Sequence, residues 1–206
     1  MNWLAHLLLS EPDAEFRLGN LLPDFLSPHE LKKLPHPFQR GIVCHRIIDA
    51  FTDSHSVVRR SIRRLRPEHQ RYGGIIIDLA YDHFLACHWS RFAPDLLEEF
   101  ARSFYAQIDA HRTILPEKVI LPLDRMRAED WLCSYREPAG LSQTLRRVGQ
   151  RFRRPVDLSL AMREIETDRI ALESDFLEFF PELKERVAET YGKISLHRCC
   201  ASTESR

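Results

Sequence analysis

His45, Asp49 and Asp53 recur at four-residue steps within Gly41-Ile42-Val43-Cys44-His45-Arg46-Ile47-Ile48-Asp49-Ala50-Phe51-Thr52-Asp53. Four residues is just over one helical turn, so on an α-helix these polar side chains stack along one face. A surface helix normally turns its apolar stripe inward and leaves its charges outside. Here apolar residues flank the polar row on both sides, so the row is expected to point into a partly buried cleft. Asp78-Leu79-Ala80-Tyr81-Asp82-His83-Phe84-Leu85 repeats the pattern. Two such rows facing each other would make a metal site, which points to metal-assisted hydrolysis.

The rest of the chain supports a helical frame. Gly is scarce, at 7 of 206 residues, and few segments alternate apolar and polar over strand lengths. Helical periodicity is expected over 2–9, 13–21, 39–54, 56–65, 68–90, 94–112, 117–134, 138–152, 156–179 and 181–191, with prolines marking the breaks. The stretch from Pro23 to Pro37 is expected to be a loop with a short helical turn. The run Ile75-Ile76-Ile77 is read as buried helix because Asp78, Asp82 and Leu85 continue its period. Asp13, Ser56 and Ser142 are expected as caps or first-turn residues. This predicts an all-α single-domain helical bundle over 1–192, followed by a flexible C-terminal tail at 193–206.

Composition removes several classes. Apolar residues make up 44% of the chain, enough for a core, and the formal net charge is zero. The five cysteines (Cys44, Cys87, Cys133, Cys199 and Cys200) are odd in number and contain no Cys-x-x-Cys. That argues against a disulfide framework or zinc knuckle and suits a reducing cytoplasm. Cys44, Cys87 and Cys133 are expected to pack as small hydrophobes. The start, Met1-Asn2-Trp3-Leu4-Ala5-His6, lacks a basic region, and Glu11 and Asp13 follow its apolar run, so it is not read as a targeting signal. No apolar run approaches the length of a membrane span. No nucleotide-binding glycine loop, Gly-x-Ser-x-Gly or His-Glu-x-x-His occurs.

Each polar candidate has a structural and a chemical reading. His6 sits in an apolar helix and is either a hydrogen-bonded core residue or a ligand. Asp24, after Pro23, is either a helix cap or a carboxylate ligand carried on a loop. His45 and Asp49 could hold one divalent ion from a single rigid element, or form a solvated face paired with Arg46. Asp82 and His83 are rotated by about 100° from each other on a helix, so one would be a ligand and the other its support unless the ion lies between them. Such a His and Asp set without thiolates favours Mn²⁺ or Mg²⁺ over Fe or Zn²⁺. Arg59, Arg60, Arg63, Arg64, Arg66 and Arg71 form a dense basic run, and Arg146, Arg147, Arg151, Arg153 and Arg154 form another. These are either solvated faces or a surface for an acidic partner. Few aromatics interleave with them, which disfavours single-stranded nucleic acid.

The ordered blocks Met1-Asn2-Trp3-Leu4-Ala5-His6, Gly19-Asn20-Leu21-Leu22 with Asp24-Phe25, Gly41-Ile42, His45-Arg46 with Ile48-Asp49, Thr52-Asp53 and Asp82-His83-Phe84-Leu85 with His88-Trp89-Ser90 resemble the acyl carrier protein phosphodiesterase family. The likeness is dense to about residue 90 and continues through Trp131-Leu132 and Tyr135-Arg136. It implies a helical fold related to HD-type metal phosphohydrolases and a divalent ion, most of all Mn²⁺, with Mg²⁺ or Fe as alternatives. It also implies hydrolysis of the phosphodiester joining 4′-phosphopantetheine to a serine of holo-acyl carrier protein. The usual adjacent His-Asp pair is absent, and Asp82-His83 reverses it, so ligand roles cannot be copied from ordinary HD enzymes. Asp24 matches a family position tied to metal binding, which favours the ligand reading.

The resulting expectation places His6, Asp24, His45 and Asp82 as leading ligands, with Asp49 and His83 as ligands or supports. Asp53 and Asp78 would orient ligands or capture a proton, and Arg46 would contact phosphate. Water is the expected nucleophile, since Cys44 adjoins His45 but points in another helical direction. Arg59, Arg60, Arg63, Arg64 and Arg66 would steer the acidic carrier protein. Two rivals remain: an HD-like enzyme acting on a nucleotide or small phosphate ester, and a non-enzymatic helical adaptor that binds acidic partners through its arginines.

Overall fold

The computed structural model describes residues 1–201, with side chains for residues 1–190. All regular elements among the described residues are helical. Helix α1 is Trp3–Leu8 and α2 is Ala14–Leu21, capped by Asp13, whose side chain accepts from the Phe16 N–H. A 3-10 turn, Leu22–Asp24, and α3 (Pro28–Leu31) occupy the proline-bounded stretch. The polar row lies on α4 (His36–Ser54), and α5 (Ser56–Arg64) follows it. Ser56 is the first residue of α5; its cap is the preceding His55, whose ring accepts from Val57 N–H.

The helix expected over 68–90 is three: α6 (Pro67–Gln70), α7 (Gly73–Cys87) and α8 (Trp89–Phe92). The chain restarts at Gly73, where a Cβ would sit 2.5 Å from the Ile62 side chain, so α7 can begin directly on the surface of α5. Next come α9 (Leu97–Ala110), α10 (Glu117–Ala128) and α11 (Trp131–Ser134). The last two were expected as one helix. Asp130 divides them with φ 42°, a left-handed conformation that aspartate tolerates better than most residues. The Tyr105 hydroxyl donates to its carboxylate at 3.0 Å.

Helix α12 is Pro138–Gly149, so Ser142 lies beyond its first turn and caps nothing. A 3-10 turn at Leu158–Ala161, capped by Asp157, and α13 (Met162–Thr167) divide the helix expected from 156. The break expected at Pro181 is absent, and α14 runs Arg169–Ala201. An interior proline costs about 3 kcal/mol. Phe176, Phe179, Phe180, Leu183 and Val187 are buried on either side of it. Each contributes roughly 1.5–3 kcal/mol on burial, which outweighs the kink. The tail expected over 193–206 lies outside the residues whose side chains are described.

Helix α7 runs through the centre, burying most of its length from Ile76 to Ala86 on nearly every side. It touches α1, α5, α12 and α14, while α2 lies along α4. Cys44 is buried as expected, but Cys87 is exposed and Cys133 intermediate.

Candidate metal centre

Two glycines set the geometry. A Cβ on Gly19 of α2 would lie 2.2 Å from the Phe38 carbonyl oxygen, and one on Gly41 of α4 would lie 2.1 Å from that of Phe16. The helices therefore meet backbone against backbone, an approach that only glycine permits. The close crossing lets Nδ1 of His45 on α4 reach the Asn20 carbonyl oxygen on α2, 2.8 Å away. Nδ1 must donate there, because a carbonyl only accepts.

Asn20 also fixes His6. Its amide nitrogen donates to the His6 carbonyl at 2.8 Å and to Ser10 Oγ at 2.9 Å, which identifies Oδ1 as the acceptor for His6 Nδ1 at 2.9 Å. Both imidazoles are thus held with Nδ1 as donor, and both direct Nε2 at Asp49. His6 Nε2 lies 3.2 Å from Asp49 Oδ1, and His45 Nε2 lies 2.9 Å from Oδ2. The two rings stack with centroids 4.5 Å apart. Donor atoms of His6, His45 and Asp49 all lie within 4.8 Å of one another.

Electrostatics fit a cation. Burial alone would lower the His45 pKa, but the hydrogen bond and charge of Asp49 raise it above the ordinary value. Burial would raise Asp49, yet His45 and His6 hold its carboxyl far below the usual range. His6 Nε2 also faces the Met1 carbonyl oxygen at 3.1 Å, so acceptors converge where a proton or metal ion belongs. A divalent ion can replace the proton shared by His45 and Asp49, since a metal binds the deprotonated ligand. Helper groups that orient the far nitrogen of each ligating histidine, as Asn20 does here, are the usual accompaniment of such sites.

Asp24 adjoins this group. Trp3 Nε1–H donates to its Oδ2 at 2.6 Å, leaving Oδ1 at 3.9 Å from His45 Nε2. Asp49, Asp24, Asp53 and Asp78 line one cleft of about 350 Å³, with Trp3 and Arg151 also in its wall. Asp78 from α7 meets the row on α4 across the Met1 amino nitrogen, 3.0 Å from Asp78 Oδ1 and 4.0 Å from Asp49 Oδ1.

Other expected residues lie elsewhere. Asp82 is fully buried, and its carboxylate accepts from the Leu4 N–H at 2.7 Å and the Ala5 N–H at 3.2 Å. It satisfies the first amides of α1, which have no intrahelical partner. Burial pushes its pKa up to about 7 despite those two bonds. His83 Nδ1 donates to the Tyr135 carbonyl at 2.7 Å, and its ring neighbours Cys87 rather than the His6–His45–Asp49 group. Arg46 points away from the cleft and lines a separate groove with Val43, Ile47 and Arg186.

The basic run on α5 is mostly committed. Arg60 Nε and Arg64 Nε donate to Asp175 of α14 at 2.8 and 3.0 Å, and Arg60 also reaches Glu178. Arg66 pairs with Glu164, and Arg59 donates to the Ser54 carbonyl. Arg63 has no ion pair among the described residues.

Asn20 and Trp3 are the positioning residues that the sequence pattern did not single out. Their roles depend on contacts across 14 to 25 residues, which no local spacing shows.

A family model described as Acyl carrier protein phosphodiesterase matches residues 1–183. An acyl carrier protein phosphodiesterase of Enterobacter sp. (strain 638) is 33% identical over 184 residues, covering 89% of this chain and 95% of that protein. One from Klebsiella pneumoniae subsp. pneumoniae is 33% identical over 190 residues, covering 92% and 98%. One from Escherichia coli O6:H1 is 32% identical over 189 residues, covering 91% and 98%. No solved structure gives a significant match. Among the described residues, no helix is long and apolar enough to cross a membrane. By its match from end to end of these relatives, the chain belongs to the acyl carrier protein phosphodiesterase family.

Proposed function

We propose that this protein is a metal-dependent phosphodiesterase that releases 4′-phosphopantetheine from holo-acyl carrier protein, with His6, His45 and Asp49 holding the ion and Asp24 beside them. The observation that carries the metal assignment is the convergence of two Nε2 atoms and one carboxylate, with both histidines oriented through Asn20. Oxygen and imidazole donors without thiolate favour Mn²⁺, with Mg²⁺ or Fe as alternatives. Bound there, the ion would supply a Lewis acid for a phosphoryl oxygen and lower the pKa of a water.

The chain's own groups supply the rest. Asn20 keeps both imidazoles in the tautomer that leaves Nε2 free. Trp3 anchors one oxygen of Asp24, which leaves the other facing the cleft to accept a proton from the attacking water. Water adds to phosphorus, the bond from phosphorus to the serine oxygen breaks, and that oxygen takes up a proton. The products are apo-carrier protein and 4′-phosphopantetheine.

An HD-type ancestry agrees with histidine and aspartate ligands drawn from different helices, although the adjacent His-Asp pair is missing. A cytoplasmic setting suits the carrier substrate and the three free thiols among the described residues. The adaptor reading loses ground because Arg59, Arg60, Arg64 and Arg66 bond within the fold.

The test is mass spectrometry of holo-carrier protein incubated with the purified enzyme, with Mn²⁺, Mg²⁺ or Fe²⁺ and with chelator. Loss of the phosphopantetheine mass only when metal is present is expected. Intact carrier under every metal, with a small phosphodiester cleaved instead, would replace this substrate assignment.

A further inference from the structure

The cleft beside the candidate metal centre is rich in carboxylates. Asp24, Asp49, Asp53 and Asp78 all line it, and a phosphodiester is itself an anion. The Met1 ammonium, 3.0 Å from Asp78, and the proposed ion offset part of that charge, and a cationic side chain in the same cleft would add to the hold on the substrate. Arg151 supplies the one cationic side chain among the residues lining this cleft. It follows the end of α12 and lines the cleft together with Val148.

Arg151 differs from the arginines of α5 and the neighbouring arginines of α12 that pair with carboxylates. Arg60, Arg64 and Arg66 pair with α14 and α13, Arg147 pairs with Glu129, and Arg146 lies 3.9 Å from Asp157. Arg151 has no carboxylate partner among the described residues, although four carboxylates share its cleft. Its guanidinium instead lies over the Trp3 ring, 5.8 Å from the centroid. Trp3 is buried, stacks on Trp131 at 5.5 Å and donates to Asp24. Arg147 covers the Trp131 ring at 4.0 Å, which completes a rigid stack behind Arg151. A guanidinium resting on an indole is weakly hydrated, and its remaining N–H groups suit two phosphate oxygens at once.

We propose that Arg151 binds the phosphodiester anion of the substrate in the cleft it shares with these carboxylates. The role that sequence reasoning gave to Arg46 falls to Arg151 instead. The proposal rests on the phosphodiesterase reading above. Trp3 links the two groups, because one side chain contacts both Arg151 and Asp24.

Steady-state kinetics on holo-carrier protein with Mn²⁺, comparing the unaltered enzyme with Arg151→Ala and Arg151→Lys, test this. Losing a charge-assisted contact to phosphate should lower kcat/KM about 10- to 100-fold in Arg151→Ala. Arg151→Lys should recover part of it, and Mn²⁺ uptake by titration should not change. Inorganic phosphate should inhibit the alanine variant more weakly by a similar factor. Unaltered kcat/KM and phosphate inhibition in Arg151→Ala, or loss of Mn²⁺ with activity, would overturn the assignment. If the unaltered enzyme cleaves no carrier protein, the activity reading is what has failed. Calorimetric binding of inorganic phosphate to the Mn²⁺-loaded protein then still decides for Arg151, which predicts weaker binding in Arg151→Ala and is refuted by equal binding.

Discussion

Asn20 is the residue on which the candidate centre turns. Its side chain makes three hydrogen bonds, two of them buried, and its backbone carbonyl a fourth, to His45. Asn20→Ala removes the side-chain bonds only, so it frees His6 to rotate while His45 stays fixed. The expected result is Mn²⁺ affinity weaker by about 10- to 100-fold, the usual cost of losing a group that orients a ligand. A fall in stability of about 1–3 kcal/mol should accompany it, from the unsatisfied polar atoms left behind. Titration calorimetry with Mn²⁺ checks this; unchanged affinity would remove Asn20 from the account. At this scale the sequence was informative where spacing is local. His45 and Asp49 stand four apart on one helix and do share a face of α4. Asp82 stands in an equally suggestive pattern but satisfies amides 77 and 78 residues away, a relation invisible to periodicity.

At the scale of elements, the basic row on α5 clamps that helix to α14. Asp175 is nearly buried and accepts from Arg60, Arg64 and Ser61, and Ser61 in turn accepts from Tyr81 of α7. Burial alone would raise the Asp175 carboxyl, but the two arginines and Ser61 hold it below its ordinary value. A depressed carboxyl stabilises the fold above the ordinary aspartate range and loses that contribution as pH falls through its folded value. Asp175→Asn should therefore cost about 1–3 kcal/mol near neutral pH, allowing for the partial exposure of both arginines. Denaturant unfolding across pH should show the gap from the unaltered protein narrowing below about pH 4. A gap independent of pH would contradict the clamp. The helices themselves were legible from periodicity, whereas several of their breaks were not. Asp130 and Asp168 carry no proline or glycine signal, and Pro181 carries one that burial of its neighbours overrides.

Across the whole molecule, a formal net charge of zero conceals a sorted distribution. Carboxylates from the 3-10 turn, α4 and α7 gather in one cleft, which Arg151 also lines. Arg153 and Arg154 follow it in the chain, also without ion pairs among the described residues. For an acidic carrier that presents a phosphodiester, these unpaired arginines are more available than Arg60, Arg64 and Arg66, whose charges are already matched. The fold class followed from composition and period, but which arginines remain available followed only from tertiary pairing. The central claim is that His6, His45 and Asp49 hold one divalent ion. Anomalous diffraction from crystals soaked in Mn²⁺ tests it most directly. A single strong peak bounded by His6 Nε2, His45 Nε2 and the Asp49 carboxylate is predicted; a peak beside Asp82 and His83, or none at the His6–His45–Asp49 group, would contradict it.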